Sequence, residues 1–525
     1  MSKRIINSKN NYNAILEAVD IITEPVAQTI SPKGGNVLYE NSVGVNTYTN
    51  DGATIVKQIS VKDPEINQII QVIKESSLKT NIEAGDGTSS TIILSSVLIK
   101  EGVKLLRMGW NTSDIQKELI KISKDIIDNS EKFSSKINGD KDIHYIANVS
   151  ASNDSEIAEN TVKTINVVGK DGQVIINPGY NSETEIIEDT GFIISSGLLF
   201  KELALGKTFQ ANYENVLTLV TDKKLYYEKE AEIILKTALS NGYKSVVIVA
   251  SDFVGEALPL FIENHIKGVI NVMLVKVTEP EIIDDIAVYL NTEVISDRSG
   301  SLDNLSIEHF TISKMVFSDM NKTIISRDSS EPSKLLNIRI NEIKKELKKI
   351  GDKKSSEYRS FEKRLASLTR GMVTIKVGGS TPIEINEKIY RYEDAINATR
   401  AALDDGYIPG GGITLMNSWS SLKKEKYNQD MVRLFNVYSE SIIRQVLRNC
   451  GEKEDVILEK IKSSKFKNTG YNAVTNTISD MIKDGVIEPR KVLVQSILNS
   501  VSIAIAILTS NYRIVNELEE DKKDK

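Results

Sequence analysis

The chain has 525 residues, of which 40% are hydrophobic and 26% charged, and a mass of 58.3 kDa. It is several times the length of a typical domain and ordinary in composition, which excludes a disordered or fibrous protein and predicts two or three globular domains. The formal net charge of −6 argues against a general nucleic-acid binder. One cysteine, Cys450, excludes an intrachain disulfide, and three histidines exclude a His/Cys-rich zinc site. No apolar run reads as long enough to cross a membrane, the nearest lying around 501–508. The N-terminal MSKRIINSKNNYN lacks the apolar stretch of a secretory signal. Together these features predict a reducing, cytoplasmic or cytosol-like compartment, with neither membrane nor nucleic acid as partner.

Apolar residues at Ile15, Leu16, Val19, Ile22 and Val26 predict a helix over 12–30 that stops before the turn SPKGG. VLYE (37–40) and NTYT (46–49) predict a hairpin. Helices are expected over 65–82, from the loop AGDGTSS (84–90) to about residue 98, and over 112–133. Mixed texture follows to about residue 190. Strand-like runs at 216–220, 245–249 and 272–277, separated by helical stretches near 229–241 and 253–267, predict a small parallel-sheet unit. A charged helical pair is expected over 339–349 and 357–368. Further helices are expected over 386–405, 425–449 and 491–509. Helical texture at both ends thus encloses α/β texture. Either one domain is inserted into another or three domains follow in line; periodicity does not separate these.

Two N-terminal segments have the character of a phosphate site. TISPKGG (29–35) and GDGTSS (85–90) combine glycines, hydroxyls and a helix start. Asp86 would repel phosphate unless a cation lay between them, which makes it a candidate Mg²⁺ ligand. The alternative is a plain helix-capping turn. There is no Walker A loop. The triplet Gly410-Gly411-Gly412 reads either as a close backbone approach to a ligand or as a hinge.

Ten segments in order across about 450 residues then resemble the group I chaperonins, the sixty-kilodalton ring-forming chaperones. They are TISPKGGN, TNDGATIV, AGDGTSST, VSASNDSEIAE, GKDGQVII, GEAL, IKVGGSTPIEINEK, RYEDAINATRAALDDGYIPGGG, RQVLRNCGE and GYNAVT. The resemblance implies a multidomain α and α/β fold. Its parts would be a mainly helical equatorial domain (1–132 and 404–525), a small α/β intermediate domain (133–188 and 371–403) and an inserted α/β apical domain (189–370). A charged tail would end the chain at about 516–525. It implies an ATP-dependent chaperone that captures non-native polypeptides on apolar apical surfaces. Folding in the cavity of a homo-oligomeric ring would be timed by Mg²⁺-dependent hydrolysis. Seven subunits in one or two rings and a ten-kilodalton-type co-chaperonin lid are implied partners.

The same resemblance assigns roles. Asp86 would hold Mg²⁺; Gly87, Thr88, Ser89 and Ser90 would contact phosphate; and Thr29, Ile30, Ser31 and Pro32 would flank it. Gly411, Asn472, Ala473 and Glu488 would face the ribose and base. Asp394 and Asp51 would orient the attacking water. Leu198, Leu199, Phe200, Ile233, Ile234, Phe261 and Ile262 would face the substrate.

The chain also departs from the family's pattern. Asn50 replaces a lysine, which predicts weaker dependence on K⁺. Glu488 replaces an aspartate but keeps an acceptor. The apical stretches TEPEIIDDIAVYL and FIISSGLLF are unfamiliar. Lys453 stands where an acidic partner of Arg444 is usual, which opposes ring stacking. The rival reading is a chaperonin-like structural or interaction protein, with slow ATPase, specialised for one or a few partners.

Overall fold

The computed structural model describes residues 3–7, 12–40, 44, 46–170, 172–179, 181–204, 210–296, 302–327, 333–350, 355–369 and 371–516. The predicted charged tail lies outside them, apart from its first residue. The chain divides into two compact units. The first is 1–166, 176–185 and 376–525; the second is 167–175 and 186–375. The chain therefore leaves the first unit and later returns to it.

The first unit is a helical bundle. Helices Tyr12–Ala27, Pro64–Ala84, Thr88–Arg107, Thr112–Ser130, Gln429–Asn449 and Arg490–Thr509 share one apolar core. Asp63 caps the second of these through Glu65 N and Ile66 N, with Pro64 in the first turn, where its missing N–H costs nothing. The expected hairpin forms, with Val37 opposite Thr49 and Glu40 opposite Asn46. The ends of the chain pair as well: Lys3–Asn7 runs antiparallel to Tyr512–Asn516. Periodicity predicts neither of these strands.

Arg490–Thr509 corrects the reading of chain apolarity. Its mean hydropathy of 2.0 over 18 residues is enough for a membrane span by length and composition. It is nonetheless a core helix, packed on the helices Pro64–Ala84, Thr88–Arg107 and Thr112–Ser130. Its buried Ser496, Asn499 and Ser500 side chains have partners. Asn499 Nδ2 donates to Thr80 Oγ1 at 2.8 Å, and Ser500 Oγ lies 3.0 Å from Tyr438 Oη. A helix with apolar residues all round is equally at home in the centre of a bundle.

The second unit is built on a mixed eight-stranded sheet. Its order is Asn271–Lys276, Ser245–Ala250, Ala211–Val220, Thr311–Ser318, Thr323–Ser326, Glu185–Ile194, Gly371–Val377 and Gln173–Pro178. The first three strands are parallel, with Val246 opposite both Val272 and Leu217, as the runs of Val, Ile and Leu predict. Helices Glu228–Ser240 and Ala257–Ile266 connect them.

Candidate active site

A cavity of about 260 Å³ in the first unit gathers most of the predicted nucleotide residues. It is lined by Thr29, Ile30, Ser31 and Pro32, by Asp51, by Asp86, Gly87, Ser89 and Ser90, by Asp394 and Gly411, and by Asn472, Ala473 and Glu488. A larger hollow of about 780 Å³, around Trp419 and Phe466, contains none of them.

The loop before Thr88–Arg107 is not a side-chain cap. Gly87 occupies the cap position at φ 99°, and no side chain accepts from the first turn. Asp86 accepts from its neighbour Gly87 N and from no amide further into the helix. The first-turn amides of a 20-residue helix are therefore left to face an anion, which favours the phosphate reading. Neither glycine tolerates replacement. A Cβ at Gly85 (φ 79°) would collide with Asn397, and one at Gly87 would meet Ser496 and Val492. Thr88 lies behind the lining, 5% exposed, its Oγ1 without a partner.

Asp51 contrasts with Asp86. It caps Gly52–Gln58, accepting from Ala53 N at 3.1 Å and Thr54 N at 2.7 Å. Both its oxygens are engaged by backbone amides. Asp394 lies on the helix Pro382–Asp405 and caps no helix. Burial first, then the fields of Asp86, Asp51, Glu393 and Glu387, hold its carboxyl well above the usual range. Burial likewise raises Asp86, partly offset by the Gly87 amide, with Asp51 adding to the rise. Both side chains are closely surrounded yet keep solvent contact through the cavity.

Glu488 corrects the expectation of a simple acceptor. Burial and the field of Asp86 push it up to about 8.

The cavity lining also includes the apolar Ile30, Ile442, Val446, Ala473, Val474 and Val486, of which Ile30, Val446, Ala473 and Val486 belong to one apolar cluster. Gly411, at φ 67°, has open space where a Cβ would stand. Asn472 is held on both sides, donating to Asp484 Oδ2 at 3.0 Å and accepting from Val474 N at 3.0 Å. The apolar part of the lining thus suits a flat ring, and the 86–90 turn a charged group.

Several lining residues were missed. Val149, Ser150, Ser152 and Asn153 line the cavity, as do Glu387, Tyr390, Arg391 and Tyr471. All of them but Tyr390, which lies between two motifs, fall inside quoted motifs, and helical spacing from Asp394 could have found Glu387, Tyr390 and Arg391. Asn449 lies in the quoted RQVLRNCGE, but its partners are far away in sequence. Its Nδ2 donates to Ala27 O and Ile30 O, both at 2.8 Å, and so ties the 29–35 loop to the Gln429–Asn449 helix.

In the second unit, Leu198, Ile234 and Phe261 are core residues, which corrects their placement on a substrate surface. Ala231, Ile234, Leu235 and Ala238 form the buried stripe of their helix, and Phe261 packs edge-on to Phe253 at 6.3 Å. Helical period sets Ile233 about 100° away from Ile234, and it is half-buried. Leu199, Phe200 and Ile262 are also half-buried against the core. The apolar residues that do reach solvent nearby are Tyr226, Tyr227 (63% exposed), Ile266 (64%) and Val269.

Arg444 is paired within its own chain, to Glu440 and Asp455 at 2.8 Å each and to Glu454 at 3.6 Å. Lys453 serves as the N-cap residue of Glu454–Lys462.

These features agree with what the chain resembles. Residues 22–517 match the TCP-1/cpn60 chaperonin family. A curated relative, the chloroplastic chaperonin GroEL of Gracilaria tenuistipitata var. liui, is 31% identical over 533 residues, covering 99% of this chain and 100% of that one. Two crystal structures of the chaperonin gp146 from bacteriophage EL 2 (Pseudomonas aeruginosa), determined in the presence of ATP-BeFx, share the fold. Their TM-scores are 0.64 and 0.66 at 20% and 21% identity, and each match covers 98% of this chain and 99% of the other. The chain belongs to the TCP-1/cpn60 chaperonin family. It is an ATP-dependent chaperonin and an ATPase.

Proposed function

We propose that the chain forms a homo-oligomeric ring that captures non-native polypeptides and releases them for folding, timed by Mg²⁺-dependent hydrolysis in the cavity described. The observation that carries this reading is Asp394, on a long helix, opening into the same cavity as the uncapped loop 86–90. The apolar lining takes the base, and the Gly87–Ser90 turn takes the phosphates. Asp394 orients water, and Asp51 sharpens the local field. The donors suit Mg²⁺: Asp86 has a carboxylate oxygen beyond the one bound to Gly87 N, and the Ser89 and Ser90 hydroxyls line the same cavity. The metal would offset phosphate charge.

Residues 133–188 and 371–403 are proposed as the hinge between the equatorial parts and an apical domain at 189–370. A surface of Tyr227, Ile233, Ile262 and Ile266 is proposed for polypeptide capture. Uncharged Asn50 leaves any K⁺ site to backbone oxygens, so a weak K⁺ requirement is proposed. Seven subunits, one or two rings, and a co-chaperonin lid belong to this reading too. A cytoplasmic or organellar matrix fits it, the latter because a relative is named as chloroplastic.

The test is ATP-dependent recovery of several unrelated aggregation-prone proteins. Yields are expected to rise several-fold with Mg-ATP over the chain alone. Recovery of none, or of one partner only, would replace this reading with a specialised interaction protein.

Asp86→Ala is expected to weaken Mg-ATP binding and hydrolysis together, because it removes the metal's protein anchor. Nucleotide affinity titrated against Mg²⁺ checks this, and an unchanged Mg²⁺ dependence would assign the metal elsewhere.

A further inference from the structure

Charge in the cavity is lopsided. Among the described residues that line it, five are acidic: Asp51, Asp86, Glu387, Asp394 and Glu488. Only one is a cation, Arg391. A nucleoside triphosphate brings further negative charge, and one divalent ion offsets only part of it. Position 50, next to Asp51, is the uncharged Asn50.

Arg391 has donors to spare. Its Nε is buried without a hydrogen-bond partner. Its nearest carboxylate contact, Nη2 to Glu387 Oε1, is 3.7 Å, too long for a hydrogen bond. Glu387 is already held from the other side, where Thr49 Oγ1 donates to its Oε2 at 2.9 Å. On Pro382–Asp405, Arg391 lies four residues after Glu387 and three before Asp394, which places all three along one face. A guanidinium with a buried, unpartnered Nε, lining the same cavity as the 86–90 turn, is suited to a phosphate oxygen.

We propose that Arg391 donates to the terminal phosphate of the bound nucleoside triphosphate, stabilising the charge that Asp394's water attacks. The proposal rests on the nucleotide reading of this cavity. It makes the helix Pro382–Asp405 a two-sided sensor. Asp394 handles the water and Arg391 detects whether the third phosphate is present.

The experiment compares affinity for Mg-ADP with affinity for Mg²⁺ and a non-hydrolysable β,γ-imido triphosphate, by calorimetry on the full chain. Arg391→Gln is expected to weaken the triphosphate about tenfold, the size of one charge-assisted hydrogen bond, and ADP less than twofold. Arg391→Lys, which keeps the charge without the planar fork, is expected to fall between parent and Gln, and it carries the comparison if the Gln variant does not fold. Glu387→Gln is expected to leave the preference for triphosphate intact or to raise it. Equal weakening of both nucleotides, no weakening of either, or the same selective loss in Glu387→Gln would make Arg391 a structural partner of Glu387 and overturn the proposal. A parent chain that binds neither nucleotide would remove the nucleotide reading itself, an outcome visible before any variant is made.

Discussion

Asp394→Ala is expected to bind Mg-ATP much as the parent does and to hydrolyse it about two orders of magnitude more slowly, as for loss of a positioned general base. The carboxylate lines the cavity without forming part of the loop that cradles phosphate, so binding and chemistry separate at this residue. Its raised proton affinity, caused by burial and by Asp86 and Asp51, suits a group that must accept a proton. Asp51 cannot readily take its place, since both its oxygens accept from Ala53 and Thr54. Steady-state ATPase together with equilibrium nucleotide binding checks the pair of statements. A rate within twofold of the parent would show that water is oriented by another group.

Asp285→Ala should destabilise the second unit by about 3 kcal/mol, the low end for breaking a buried ion pair because the two arginines retain some solvent contact. Asp285 is 0% exposed, on the helix Pro280–Leu290. Arg339 Nε reaches its Oδ1 at 2.6 Å; Arg364 reaches Oδ2 through Nε at 2.6 Å and Oδ1 through Nη2 at 3.0 Å. One carboxylate thus joins three helices, since Arg339 lies on Lys334–Ile350 and Arg364 on Ser356–Thr369. Removing it leaves two guanidiniums partly buried without a counter-charge. Hydrogen exchange in 334–369 is expected to accelerate about a hundredfold while ATPase is retained. Acceleration below about threefold would mean that packing of Leu336, Ile343 and Leu368 holds the pair of helices by itself. Replacing Asp285, Arg339 and Arg364 together by apolar residues of similar volume should recover most of the lost stability, because the desolvation penalty goes with the charges.

Much of the site was legible because its requirements are local. A tight turn that exposes amides needs glycines at positive φ, and Gly85, Gly87, Gly411 and Gly412 stand where the backbone takes that form. Carboxylates, hydroxyls and glycines fall within a few residues of one another at 85–90. What escaped notice depends on contacts hundreds of residues apart. Asn449 tethers the 29–35 loop, and Thr49 holds Glu387; neither pair shares a motif.

The amino-acid sequence by itself determined the helices with clear period and caps, the parallel strands rich in Val and Ile, the hairpin, and the loops whose glycines permit one backbone path. These follow from steric and hydrophobic preferences acting over a few residues. Tertiary structure decided which side of each element is used. It buried Ile234 and Phe261 while leaving their neighbours Ile233 and Ile262 part-exposed, a choice made by the sheet beneath the helices. It turned Arg490–Thr509 from an apolar helix of membrane length into the centre of a bundle by supplying Thr80 and Tyr438 as partners. It paired Arg444 with Glu440 and Asp455, and it raised the proton affinity of Glu488 by burying it and placing it within the field of Asp86. Burial and electrostatic fields arise from neighbours that converge only when the chain has folded, and residue type alone carries neither.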